Sequence, residues 1–301
     1  MEGIGMTVEE ARKLYEKYKE EVHWQNDHTN EDALIEVTEF LLKETKDPWY
    51  SSDLGAYYYG ERRFDLALKY YEMTYELGDR DIAVCLGYIW YYGRTGTVDY
   101  EKAFRYYSEA AALGNDEAKR KIADMYKNGY FVEKNYAKYC QIIEELYEVH
   151  KDDERKFIEL PDICTRLAKI RKEEGNTEEA VRLYLTAKEY LPERLRMTEF
   201  FGDINVMDWL INDLYELTEP DYSDLDIFDL FYVMKQPVTV TFRYKRKKYT
   251  MRSLIEDGEC VAEFDGHWYR SVNELFRNAK LAGKPLYARY REIYDLEVTQ
   301  K

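Results

Sequence analysis

Gly93 and Gly129 lie 36 residues apart, and the same offset carries Leu86 onto Ile122, Trp90 onto Tyr126, Tyr100 onto Tyr136 and Lys102 onto Lys138. Counted towards the N-terminus, it carries Ala103 onto Ala67, Tyr107 onto Tyr71, Leu113 onto Leu77 and Gly114 onto Gly78. So many residue types recurring at one spacing mark an internal repeat. Each unit of such a chain buries its apolar face only by stacking on its neighbours.

The spacing within one unit specifies a helix–turn–helix. In "LGYIWYYG", Leu86 and Trp90 are four apart and share a helix face, and Gly87 is small where a neighbouring helix comes close. Gly93 suits a helix C-terminus, where the left-handed conformation favours a residue without a side chain. Asp99 offers an N-cap to "YEKAFRYYSEAAAL". In that second helix Ala103, Tyr107 and Ala110 recur at helical spacing, so that small residues admit the partner helix and a ring fills the space beside them. Gly114 ends it, and "NDEAKRKIADMYKNG" begins the next pair.

On these residues the stretch 83–150 resembles Sel-one-like repeats, the longer relatives of tetratricopeptide repeats. The next unit matches at Ala118, Ile122, Tyr126, Gly129, Val132, Asn135, Tyr136 and Lys138. It departs at Ala123, where the pattern has Gly, and at Tyr139, where it has Ala, which implies altered packing there. Two flanking stretches are similar to tetratricopeptide units: one through Leu54, Gly55, Tyr58, Ala67 and Tyr71, the other through Leu167, Ala168, Gly175, Ala180, Tyr184, Ala187 and Pro192, with Pro192 ending its second helix. "EVHKDDERKFIELPDI" breaks the period as an insertion or a lengthened helix. Thr7 and Asn30 are placed to cap an N-terminal helix pair, and "TEFFGDINVMDWLINDLYELTEP" reads as a C-terminal cap. The fold implied is mainly α: a right-handed α-α superhelix, a tetratricopeptide-like solenoid with both caps, over residues 1–220. A connecting helix over 221–236 leads to a small α+β domain over 237–301.

That last domain differs in texture. "VTVTFRY" alternates as a half-buried strand does, "KKYTMRSLI" and "ECVAEFDG" follow as strands, and Asp265-Gly266 signals a hairpin into "HWYR". Ser271 caps "VNELFRNAKLAG" with Glu274 completing a capping box. Residues 237–301 carry 13 Lys and Arg against 9 Asp and Glu, whereas residues 1–236 carry 31 against 51. Arg243, Lys245, Arg246, Lys247 and Lys248 gather at one hairpin tip with interleaved tyrosines. Three readings stand: contact with a nucleic-acid backbone, a solvated turn whose lysines block edge-to-edge pairing, or docking of the basic domain on the acidic solenoid, within the chain or between chains. The solvated turn is preferred over nucleic acid, because a basic footprint is normally larger than one turn.

A formal net charge of -16 argues against the whole chain gripping nucleic acid or an anionic membrane. No apolar run approaches the roughly 20 residues a membrane helix needs, and the first residues lack the basic and apolar regions of a signal peptide. Cys85, Cys140, Cys164 and Cys260 are far apart with no CxxC, as expected of buried free thiols in a cytoplasmic protein. His23 and His28 are five apart, off a common helix face; His150 and His267 stand alone. Phosphate-binding and nucleophile motifs are absent. No catalytic residue, metal ligand set or cofactor is therefore expected, and the chain is read as non-enzymatic.

What remains is surface. The resemblance implies that the first helix of each pair lines a concave face, which places Trp49 and Tyr59, then Asp81, Tyr88 and Tyr91, then Arg120, Asp124 and Lys127, then Lys169 and Lys172 along it. For Tyr88 and Tyr91, contact with a partner and packing against neighbouring helices weigh equally; for Trp49 packing is preferred. The basic residues suit an acidic peptide or a C-terminal carboxylate, although the paired asparagines of a carboxylate clamp are not evident. The expected function is a scaffold or adaptor of a bacterial cytoplasm that binds a protein or peptide in this groove. Two alternatives stand beside it: an inhibitor or immunity-type protein masking a basic partner, and a nucleic-acid-associated regulator acting through the C-terminal hairpin.

Overall fold

The computed structural model describes residues 6–24, 28–198 and 201–300. Its contacts divide the chain into two compact units, Met1–Tyr139 and Cys140–Lys301.

The first unit is built of antiparallel helix pairs: α1 (Val8–Lys19) with α2 (Glu31–Thr45), α3 (Pro48–Gly60) with α4 (Phe64–Glu76), and α5 (Ala83–Tyr92) with α6 (Tyr100–Ala112). It continues with α7 (Asp116–Asn128) and the start of α8 (Tyr136–His150). Thr7 caps α1 in a full capping box with Glu10. Asn30 does not cap α2; its amide donates to Glu21 at 2.8 Å, because a carboxylate is within reach. The expected cap at Asp99 is present, its carboxylate accepting from the Lys102 N–H at 2.9 Å. Gly93 adopts the left-handed conformation at φ 58°.

The repeat's close approach is a glycine facing a ring. A Cβ added to Gly87 would lie 2.4 Å from the Tyr107 ring, and one added to Gly55 would lie 2.4 Å from Tyr71. Both rings are buried, with Ala67 and Ala103 fully buried one turn earlier on the same helices. At the corresponding positions the third repeat has Ala123 and Ile143, both fully buried, and it brings in Tyr139 where the earlier units have alanine.

In the second unit α9 (Leu160–Glu173) pairs with α10 (Thr177–Thr198), and α11 (Phe201–Leu217) packs on α10. Pro192 does not end α10, which continues for six more residues. The lost backbone hydrogen bond is offset by Arg194, which joins the carboxylate of Asp203 through two nitrogens at 3.0 and 2.8 Å. It also reaches Asp162 at 2.7 Å and the Ile158 carbonyl at 2.6 Å. Residues 221–236 form a 3-10 turn at Ile227–Asp229 and the single-turn helix α12 (Leu230–Val233).

Strands β1 (Val238–Tyr244), β2 (Lys247–Glu256), β3 (Glu259–Phe264) and β4 (His267–Tyr269) form an antiparallel meander. Helix α13 (Val272–Asn278) follows, then the short pair β5 (Lys280–Leu281) and β6 (Lys284–Pro285). Strand β7 (Tyr294–Gln300) returns to pair with β1, giving the order β4-β3-β2-β1-β7. Ser271 caps α13, but Glu274 reaches the N–H of Arg270 at 2.6 Å, one residue before the position a capping box uses. This sheet region is docked on the helices of its own unit. Arg291 pairs with Glu193 of α10 at 2.9 Å, Asn273 donates to Asp208 of α11 at 3.2 Å, and Arg277 bonds Asn205. Beneath them Lys188 of α10 reaches the buried carboxylate of Asp229 at 2.5 Å, and the Tyr215 hydroxyl donates to the same oxygen at 2.6 Å.

Candidate partner-binding surface

Within the first unit, α3, α5 and α7 carry a row of alternating rings and cations. The Arg94 Nε donates to the Tyr59 hydroxyl at 3.2 Å, and its guanidinium lies 4.8 Å from the Tyr92 ring. Tyr92 stacks on Tyr88 at 5.8 Å with the planes 7° apart. Lys121 of α7 reaches into this group: its ammonium donates to the Tyr92 hydroxyl at 2.7 Å and lies 4.9 Å from the Tyr88 ring and 5.5 Å from that of Tyr91. Such placement stabilises a desolvated cation through the electron-rich ring faces. Lys121 is only 7% exposed, whereas Tyr92 is 44% exposed.

The sequence-selected residues divide into supports and surfaces. Tyr91 touches four rings, those of Tyr92, Tyr100, Tyr107 and Tyr130. Tyr88 stands edge-on to Tyr107 at 5.9 Å and hydrogen-bonds Glu117. Burial pushes the hydroxyl pKa of both above the ordinary tyrosine value, with Glu117 adding to the effect at Tyr88 and Asp124 at Tyr91. Both are half-buried supports of the α5–α7 junction. Tyr59 is likewise half-buried under Arg94.

Trp49, read from the sequence as packing, is instead 58% exposed. Its indole N–H donates to the Tyr15 hydroxyl at 2.9 Å, and Lys19 lies 4.9 Å from its ring, so the polar edge is anchored while one face stays open. Asp81 is exposed just before α5. Arg120 is buried at 5% exposure beside Glu117, so it does not present its charge to a groove. Asp124 is half-buried, and the Lys127 ammonium lies 4.9 Å from the Tyr139 ring. In the second unit Lys169 pairs with Asp213 at 2.9 Å and Lys172 with Glu216 at 2.7 Å, both on α11. Their charge is engaged within the chain.

Tyr92, Lys121 and Arg94 were missed by sequence. A signal for two of them exists: Tyr92 follows Tyr88 by one helical turn, and Tyr92–Lys121 spans 29 residues, as does Tyr88–Glu117.

At the C-terminal hairpin, Lys245 and Arg246 are exposed in a two-residue turn, both left-handed at φ 46° and 66°. Arg243 pairs with Asp295 at 3.4 Å, and Lys247 lies 4.8 Å from the Tyr249 ring. Lys247 and Lys248 are exposed. Among the described residues, no group of three or more His, Cys, Asp or Glu side chains is placed to hold a metal ion. No described helix is long and apolar enough to cross a membrane. The side chains of His23 and His28 lie outside the described residues; His150 pairs with Asp153 at 3.6 Å and His267 is exposed.

The Sel1 repeat family matches residues 52–79, 86–115 and 116–138. No curated protein matches the sequence. Among solved structures, the chain is similar to a Sel1 repeat protein from Oxalobacter formigenes, with 20% identity, a TM-score of 0.50, and a match over 72% of this chain and 83% of that one. It is also similar to c5321, a protective antigen of uropathogenic Escherichia coli with an SLR fold. There the identity is 18%, the TM-score 0.46, and the match covers 70% of this chain and 41% of that one. The similarity to PilF of Pseudomonas aeruginosa has 15% identity and a TM-score of 0.45 over 71% and 95% of the two chains. The glycine–tyrosine contacts that recur between paired helices lie within the matched residues, and the chain is therefore a helical-repeat protein carrying three Sel1 repeats, followed by a small antiparallel sheet region.

Proposed function

We propose that the chain is a non-enzymatic scaffold or adaptor that binds a protein partner on the first-helix face of its Sel1 repeats, with Trp49 and Tyr92 as the contact residues. Sel1 repeats in general mediate protein–protein interaction. The observation that carries the reading is the pairing of anchoring with exposure at these two aromatics. Each has its polar atom fixed by a neighbour, Tyr15 for Trp49 and Lys121 for Tyr92, and each leaves about half its surface uncovered. A ring held in this way offers contact area with little conformational entropy to lose on binding. Tyr88, Tyr91, Tyr59 and Arg120 act behind them as supports, and Asp81, Asp124 and Lys127 form the polar rim. Functionally, residues 1–220 serve as the partner-binding repeat region and 237–301 as an accessory domain. A cytoplasmic setting agrees with four free thiols, Cys85, Cys140, Cys164 and Cys260.

Affinity capture on full-length protein tests this. The proteins retained by the native chain should be lost with the double variant Trp49→Ala/Tyr92→Ala, whose helical circular dichroism should match that of the parent. Undiminished retention by that variant would sink the reading. The masking of a basic partner, favoured by the net charge of -20 over residues 1–236, would show itself as one stoichiometric basic protein.

A further inference from the structure

Strand β2 is longer than its neighbour β3 on one side. It pairs with β1 from Lys247 to Arg252 and with β3 only from Met251 to Glu256. The β3 ladder stops at Met251–Phe264 because the chain turns at Asp265–Gly266, both left-handed at φ 52° and 80°. Residues 247–250 therefore have a strand on one side alone. The two-residue turn at Lys245–Arg246 makes Tyr244 and Lys247 a hydrogen-bonded pair, and the alternation that follows aims the N–H and C=O of Lys248 and Thr250 away from β1. A cavity of about 490 Å³ lies against this open edge, lined by Lys247, Lys248, Thr250, Arg252, Phe264 and Gly266, among others.

The surroundings of the notch are cationic. Glu263, in its wall, is taken up by Arg252 at 2.9 Å and by the Gly266 N–H at 2.7 Å. Exposed Asp265 is the remaining acid of the lining, outnumbered by Lys247 and Lys248, with Lys245 and Arg246 next along the chain. The two faces of the edge differ. Lys248 pairs with Arg243 across the ladder on one face, while Tyr249 lies among Phe242 and Phe264 on the other, at 5.6 and 6.1 Å. The other two hairpin turns of this sheet use Asp-Gly, at 257–258 and 265–266, whereas this one holds two cations in a conformation that favours glycine.

We propose that this notch is a strand-addition site, in which a short extended peptide of alternating acidic and apolar residues from a partner protein pairs with Lys248 and Thr250 of β2. Main-chain hydrogen bonds supply the docking. Acidic side chains of the guest meet Lys248 on one face, and its apolar side chains meet Tyr249 and Phe264 on the other. The site is separate from the repeat face and stands or falls independently of it.

Fluorescence anisotropy with the full chain tests the proposal, using a labelled, capped Glu-Val-Glu-Val-Glu peptide. Three competitors complete the set: the same peptide N-methylated at alternate backbone nitrogens, a Lys-Val counterpart, and a single-stranded oligothymidylate. The acidic peptide should bind, and N-methylation should weaken it by about tenfold or more. Thr250→Pro removes only an N–H that β1 does not use, and it should weaken binding by a similar factor. Lys247→Glu/Lys248→Glu alters only exposed side chains, keeps the test open if the proline variant fails to fold, and should abolish binding. Equal affinity of the N-methylated peptide, binding retained by the charge-reversed variant, no binding of the acidic peptide, or preference for the oligonucleotide would each overturn the proposal.

Discussion

Lys121 donates a 2.7 Å hydrogen bond to the Tyr92 hydroxyl while its ammonium lies within 5.5 Å of the ring centres of Tyr88, Tyr91 and Tyr92. One lysine of α7 thus gathers three rings of α5 and joins the second repeat to the third. Lys121→Met keeps the length of the side chain and removes its charge and donors. It should cost about 1–3 kcal/mol in urea denaturation, from the lost cation–ring attraction and the unmade hydrogen bond. Tyr92→Ala removes one of the three rings and the acceptor that Lys121 uses, and it should cost no more than Lys121→Met. A larger loss at Tyr92 than at Lys121 would reverse the assignment of support and surface.

The glycine–ring contact gives a coupled prediction. Gly87→Ala drives a methyl into the Tyr107 ring and should cost about 1–3 kcal/mol. The third repeat carries Ala123 and Ile143 at this register, so Gly87→Ala/Tyr107→Ile should lose less stability than the sum of its single variants. The measurement is a double-mutant cycle from denaturation midpoints. Simple additivity would mean that the two positions do not share the contact.

Asp229 is fully buried with Lys188 and Tyr215 on the same carboxylate oxygen. Lys188→Met leaves that charge without its cation and should destabilise the second unit by about 3–5 kcal/mol. Lys188→Met/Asp229→Asn should recover part of the loss, since no buried charge remains. Calorimetry of both variants checks this, and equal losses would show that the charge is not what matters.

Burial raises the hydroxyl pKa of Tyr59, Tyr71, Tyr88, Tyr91 and Tyr107 above the ordinary tyrosine value. In the window above about pH 10 the unfolded chain ionises while the folded chain holds its protons, so the unfolded state is favoured as pH rises. Stability should be insensitive to these groups below about pH 10 and fall above it. Tyrosinate absorbance from the buried rings should appear together with the loss of helical circular dichroism. Ionisation of all tyrosines near pH 10 with the helices intact would contradict the burial described.

Much of the repeat architecture was legible because its signals are steric and local. Gly55 and Gly87 are spaced to admit a ring, Gly93 turns left-handed, and Asp99 caps within three residues of itself. Asn30 and Pro192 misled because distant groups decide their outcome: Glu21 draws the Asn30 amide away, and the Arg194 cluster holds α10 together past its proline. The meander was visible in strand alternation, but the return of β7 to β1 depends on tertiary pairing that a single strand does not encode. The resemblance placed Tyr88 and Tyr91 on a first-helix face without revealing that other rings cover them. It also gave no sign that Lys169 and Lys172 meet Asp213 and Glu216, whose segment lacks repeat register.

We propose that partners engage the first-helix face through Trp49 and Tyr92. A photo-crosslinking amino acid placed singly at 49, at 92, and at exposed Leu113 past the end of α6 tests it most directly. Positions 49 and 92 should capture the same partner protein in cells and position 113 should not. Capture at 113 alone, or different proteins at 49 and 92, would contradict the account.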